Sequence, residues 1–286
     1  MTVDQRLSTR PATHPAILET CDMRSDLIRR CSPLFLLFSM TLAPAASAQS
    51  YRPIVDHVHL AAPDPVAAVA WYQKHFGGET MTEGTDRLMY GATRVAFSKR
   101  DGAKPSQGSS VDHIGFSVAD IDALMKTFES AGVKILQPVR DAPGLFKLAF
   151  IEDPWGTRIE VVQDPATPGL HHIHLRGPDP AATLAWYSTH FGGRVGKLKD
   201  RIDGIDLGGV WILVQRGDSV PSQGHSIDHI GFRPVDVDAS VAELKKQNVK
   251  ITTEPRPITF ANGVTARLAF AEGPDGVRIE LVQRPD

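Results

Sequence analysis

One pattern is written twice along this chain and then echoed within each copy, and that repetition restricts the fold more than any other feature. Asp56-His57-Val58-His59-Leu60 returns as His171-His172-Ile173-His174-Leu175, and the helix end Trp71–Gly78 returns at Trp186–Gly193. Further on, Pro105-Ser106-Gln107-Gly108 and Asp112-His113-Ile114-Gly115-Phe116 match Pro221-Ser222-Gln223-Gly224 and Asp228-His229-Ile230-Gly231-Phe232. The chain beyond its leader is a tandem duplication, 52–165 and 166–286. The opening strands at Asp56 and His171 are echoed at Asp112 and Asp228, so each half divides again and four modules result.

Each module opens on a short β-branched strand and continues into a punctuated helix. Asp64 and Asp179 are N-caps with Pro65 and Pro180 at the first helical position, and Gly77 and Gly192 close the helices. In the second and fourth modules Asp120 and Asp236 are the expected caps, with Gly132 and Asn248 as left-handed closers. Only strands follow, including Val133–Leu136, Leu145–Ile151 and Arg158–Gln163, the last two joined by the turn Asp153-Pro154-Trp155-Gly156. The order is β-α-β-β-β. One helix per four strands cannot cover both faces of a sheet, so helices are expected on the outer face while the inner faces of paired modules curl round a cleft.

With 31 Lys+Arg against 33 Asp+Glu, no long-range field favours nucleic acid or anionic lipid. The expected partner is a small molecule, with no nucleic acid and no membrane, and the expected assembly is a monomer or homodimer. Residues 1–48 read as a secretory signal. Arg29-Arg30 precede the apolar run Leu34–Leu42, and Ala46-Ser47-Ala48 supplies a cleavage site; Met23 is an alternative start. Export to the periplasm, with cleavage after Ala48, would remove both Cys21 and Cys31, so disulfide, thiolate and Cys-nucleophile chemistry is not expected of the rest.

A His occupies the second position of all four opening strands: His57, His113, His172 and His229. The closing strands Arg158–Gln163 and Arg278–Gln283 carry Glu160 and Glu280 among apolar residues. A buried, unpaired carboxylate is costly, whereas imidazoles and a carboxylate converging on a divalent ion satisfy one another. Taken per half, the ligand sets are His57, His113 and Glu160, then His172, His229 and Glu280. Ala96 and Ile212 stand at the corresponding place of the other modules and cannot coordinate. A face of two His and one carboxylate favours Fe(II), with Mn, Zn or Ni as alternatives.

The H-[VI]-x-[LF] strand, the W-Y-x-x-x-F-G-G helix end, D-H-I-G-F and D-P-x-G-x-x-I-E together resemble the vicinal oxygen chelate superfamily of glyoxalase I, extradiol dioxygenases and bleomycin-resistance proteins. The resemblance covers nearly all of residues 52–284. It implies an α+β fold of four βαβββ modules paired into two incomplete β-barrel domains, around a divalent ion that chelates adjacent substrate oxygens. The three-ligand pattern looks more like the dioxygenases. Ring-cleaving members, however, carry a Tyr where Phe150 and Phe270 stand here, and Phe cannot relay a proton. His59 and His174 are the candidate acid/base residues, because i+2 spacing points them into the same cleft as His57 and His172. Arg158 and Arg278, with Phe150 and Phe270, are candidate substrate contacts. An exported dioxygenase-like metalloenzyme is the expected function. A glyoxalase-type lyase or isomerase and a metal-free binding protein are the alternatives. Asp153, absent from the second half where Gly273 replaces it, favours the first half as the active one.

Overall fold

The computed structural model describes residues 51–82, 84–260 and 262–285; the leader, its cysteines and its cleavage site lie outside them. The first module comprises β1 (Tyr51–Ala62), α1 (Pro65–Phe76), β2 (Glu79–Met81), β3 (Gly84–Tyr90) and β4 (Thr93–Lys99). The second comprises β5 (Val111–Ser117), α2 (Ile121–Ser130), β6 (Lys134–Asp141), β7 (Lys147–Glu152) and β8 (Arg158–Val162). The third is β9 (Gly169–Gly177), α3 (Pro180–Phe191), β10 (Arg194–Leu198), β11 (Ile202–Leu207) and β12 (Val210–Arg216). The fourth is β13 (Ile227–Pro234), α4 (Val237–Lys246), β14 (Ile251–Thr259), β15 (Thr265–Glu272) and β16 (Arg278–Gln283).

The helix punctuation works as the residue types require. Asp64 accepts from the amides of Val66 and Ala67 at 3.0 and 3.1 Å, and Asp120, Asp179 and Asp236 cap the other three helices in the same way. At the far ends Gly77, Gly132, Gly192 and Asn248 take positive φ, the conformation that satisfies the last carbonyls. Among the described residues no helix is long and apolar enough to cross a membrane.

The sheets do not follow the sequence halves. One runs β14-β15-β16-β13-β1-β4-β3-β2 and joins the fourth module to the first; the other runs β10-β11-β12-β9-β5-β8-β7-β6 and joins the third to the second. Each is open at both ends, an incomplete barrel. The seam is antiparallel: β1 pairs with β13, with His59 opposite His229, and β5 pairs with β9, with His113 opposite His174. The sequence leaves open whether neighbouring modules or modules from opposite halves pair, and the sheets pair modules from opposite halves. All four opening strands share one pattern, so any of them offers β1 a similar edge.

The halves survive as units on the helix side. Phe76 of α1 stacks on Phe116 of β5 with ring centroids 4.4 Å apart, and Trp71 lies parallel to Phe128 of α2. In the second half Phe191 of α3 stacks on Phe232 of β13 at 3.9 Å. One apolar cluster runs through all four helices and both sheets, so hydrogen bonds tie modules across halves while aromatic packing ties them within halves.

Candidate metal centre

Strand alternation places side chains of one parity on the inner face of each sheet, and the seam brings two sets of donors together. The first cluster is His57, His59, His229 and Glu280; the second is His172, His174, His113 and Glu160. Within each, the four ligand atoms lie within 4.8 Å of one another. All six expected ligands are present, regrouped: His113 and Glu160 meet His172 rather than His57, and His229 and Glu280 meet His57 rather than His172. His59 and His174 also take donor positions in the clusters. Their rings lie 4.6 Å from those of His229 and His113.

The place these two fill is legible in the register. Glu280 pairs with Gly231 and Glu160 with Gly115, two residues after the cluster His of those strands. In the other modules the same register pairs His59 with Ala96 and His174 with Leu213. Where the carboxylate is missing on the closing strand, an imidazole arrives from the opening strand beside it. Ile212 was assigned to this position one residue too early. It pairs with Ile173 and belongs to the helix-side core, and Leu213 is the inner-face residue.

Gly231 and Gly115 are room-makers. A Cβ at Gly231 would fall 2.1 Å from Cε1 of His57, and one at Gly115 would fall 2.1 Å from Cε1 of His172. No neighbour can give that much without the ring itself moving.

Behind the imidazoles stands an anchoring layer of aspartates. The Nδ1–H groups of His57, His113 and His229 donate to Asp56, Asp112 and Asp228 at 3.2, 2.7 and 2.8 Å. This fixes the tautomer that presents Nε2 to the cleft. The repeated Asp-His dipeptide was the available signal. The third module departs from it: His172 Nδ1 meets His171 Nδ1 at 2.8 Å, and His171 Nε2 lies 3.3 Å from Asp164. The relay is self-consistent when His171 donates to Asp164 and accepts from His172.

Arginines hold the anchoring carboxylates in turn. Arg158 donates to Asp112 at 2.6 Å and Arg278 donates to Asp228, while Arg94 and Arg284 both donate to Asp56. The Arg158 and Arg278 guanidiniums cover the rings of Phe150 and Phe270 at 4.2 and 3.9 Å. Those rings stand edge-on against His113 and His229. These four candidate substrate contacts thus wedge the imidazoles in place.

Burial opposes charge on every group here, and the neighbours decide the outcome. It would raise Glu160 and Glu280, but the paired imidazoles hold both well below the usual carboxylate range. Burial would lower His57, yet Glu280 and Asp56 lift it to about 9. His59 and His174 stay neutral, lowered by burial and by the adjacent imidazoles. The residues fit a divalent cation on one observation above all. Nδ1 of His59 and His174 is buried without a hydrogen-bond partner, and Nε2 of His57 and His172 meets only the cluster carboxylates Glu280 and Glu160, at 3.4 and 3.2 Å; a cation between these atoms would remove the penalty.

Residues 54–161 and 169–281 match the profile of the Glyoxalase/Bleomycin resistance protein/Dioxygenase superfamily. The chain belongs to this superfamily. Among curated proteins it is 25% identical over 195 residues to "Probable lactoylglutathione lyase, chloroplastic" of Arabidopsis thaliana, covering 63% of this chain and 54% of that one. It is 27% identical over 162 residues to glyoxalase I of Saccharomyces cerevisiae, covering 44% of this chain and 48% of the relative. The chain thus spans about half the length of these curated relatives. The crystal structure of glyoxalase I from Zea mays superposes with a TM-score of 0.64 at 21% identity, covering 80% of this chain and 92% of that one; this likeness concerns the fold. Asp153 does not distinguish an active half of this superfamily member. It accepts from Tyr72 at 2.8 Å and from the amides of Trp155 and Thr157, shaping a turn, and it is absent from both clusters.

Proposed function

We propose that the protein is a divalent-metal-dependent enzyme of the glyoxalase type, a lyase or isomerase acting on a small substrate with adjacent oxygen atoms. The observation that carries this is the fourth donor, His59 or His174, in each cluster. Three imidazoles and one carboxylate leave two positions on a six-coordinate ion, enough for two substrate oxygens and none for dioxygen beside them. A two-His-one-carboxylate face would leave three. This moves the preferred chemistry from oxygen insertion to proton transfer, and the names of the curated relatives support the same direction. The donor set suits Zn, Ni, Mn or Fe(II).

When bound, such an ion supplies a Lewis acid that polarises a substrate oxygen. The protein supplies the rest. Asp56, Asp112 and Asp228 hold imidazole Nδ1–H groups so that Nε2 keeps its lone pair inward, and His171 does the same through Asp164. Glu160 and Glu280 are ionised, and a carboxylate retains a second oxygen after giving one to a cation, so they are assigned the proton transfer. His59 and His174, first expected as acid/base groups, are assigned as ligands. The Phe150 and Phe270 rings keep water from the edges of His113 and His229.

Chelator treatment and re-addition of single metals, with hemithioacetal isomerisation and catechol-dependent oxygen uptake followed in parallel, test the reading. Metal-restored isomerisation without oxygen uptake is expected. Oxygen uptake would return the dioxygenase assignment, and ligand binding by a protein that takes up no metal would make it a binding protein. We also propose export, on the leader sequence alone; the exported chain is then expected to begin at Gln49, read by N-terminal sequencing.

A further inference from the structure

The clusters lie on the inner faces of the sheets, and the helix side of the second half carries a feature that the metal chemistry does not use. Between α3 and the strands β10 and β12 runs a groove of about 810 Å³, walled by Ala181, Leu184, Ala185, Val195 and Val214. Along α3 its lining extends from Pro180 to Thr189, roughly 13 Å of helix. Val214 follows Leu213 of the inner face, so strand alternation turns it to the helix side. Val195 is 66% exposed, so this wall is bare apolar surface rather than closed core.

The first half shows what fills such a groove. The register that sets Val214 opposite Leu175 sets Phe97 opposite Leu60, and Phe97 is buried with its ring 5.0 Å from that of Tyr72. Thr80, opposite Leu88, holds the place that Val195 holds opposite Ile205. The second copy thus has a smaller residue in the floor and an apolar one in the wall.

One end of the groove is cationic. β10 and β12 both pair antiparallel with β11, so Arg201, in the turn after β10, and Arg216, the last residue of β12, lie at the end where α3 begins. Both line the groove. Arg216 donates to the Pro178 carbonyl and Arg201 lies against Gly144, and among the described residues no carboxylate pairs with either guanidinium. The acidic lining residue, Asp203, is held by Lys197 at 2.5 Å, and Asp179, at the same end, is turned to the Ala182 amide. An apolar trough with two guanidiniums at one end is complementary to an aliphatic chain that ends in a carboxylate.

We propose that this groove binds a medium-chain fatty-acid anion, its carboxylate at Arg201 and Arg216 and its tail along α3 against Val195 and Val214. The site is separate from the clusters and does not depend on the metalloenzyme reading.

Decanoate and hexanoate, titrated calorimetrically below their micellar concentrations, are the probes. Decanoate is expected to bind at one site per chain, at least about tenfold tighter than hexanoate because its added methylenes are buried, and equally well with and without EDTA. Val214→Phe, which installs the ring that the first half carries, and Arg201→Gln/Arg216→Gln are each expected to weaken decanoate binding about tenfold or more. The arginine variant also loses the weakening by salt that the wild-type protein shows. Equal affinities for the two acids, binding without saturation, loss of binding on EDTA treatment, or an unchanged decanoate affinity in either folded variant overturns the proposal. Should Val214→Phe fail to fold, the exposed arginine pair and the chain-length comparison still decide. A ligand-free protein that sediments as a dimer, and that Val195→Glu renders monomeric, would give the groove to a second copy and overturn the proposal as well.

Discussion

Gly231 and Gly115 sit where a single methyl group would displace a cluster imidazole. Gly231→Ala is expected to lose the cation from the first cluster while the second keeps its own, measured as metal per chain; unchanged content would show that His57 is not needed there. Asp56 acts one bond further out. Asp56→Asn should weaken metal binding at that cluster by about 10–100-fold, read by competition with a chromogenic chelator. A third residue carries a pH signature. Burial raises the Asp153 carboxyl to about 6 against the donors around it. A carboxyl raised on folding binds its proton more tightly in the native state, so its contribution is full below about pH 4 and fades as pH climbs through 6. Relative to Asp153→Asn, the wild-type protein should therefore lose up to about 3 kcal/mol between pH 4 and 6.5. Denaturant unfolding at several pH values measures this; a difference independent of pH would contradict it.

At the scale of elements, apolar stacking holds each half together while hydrogen bonds cross between halves. Phe232→Ala removes the ring stacked on Phe191 and leaves a cavity in a fully packed region. A loss of about 3–5 kcal/mol is expected in urea unfolding, and a loss under 1 kcal/mol would show that the helix-side core is not continuous. The modules, caps and ligand strands were legible because each carries local punctuation: Asp-Pro before a helix, Gly or Asn after it, His on the second residue of a strand. Which modules pair was not legible. His57, His113, His172 and His229 occupy equivalent positions, so sequence alone gives β1 no reason to choose β13 over β5. The one-residue error at Ile212 has the same origin, since aligning Gln215-Arg216 with Gln283-Arg284 assumes a strand length that β12 does not keep. The anchoring aspartates were visible as repeated Asp-His pairs but had no assigned partner until Arg94, Arg158, Arg278 and Arg284 were placed beside them.

Across the whole molecule, one seam in each sheet builds one cluster from both halves of the chain: His57 and His59 meet His229 and Glu280, while His113 and Glu160 meet His172 and His174. That organisation makes the two centres separable, with the same donors and different anchoring at His57 and His172. Metal stoichiometry of the chain and two double variants tests it most directly, by elemental analysis after loading and desalting. The account predicts about two equivalents for the wild-type protein, about one for His57→Ala/His229→Ala, which empties a single cluster, and near zero for His57→Ala/His113→Ala, which damages both. A wild-type protein that holds no metal would contradict it, as would loss of both equivalents on removing His57 and His229.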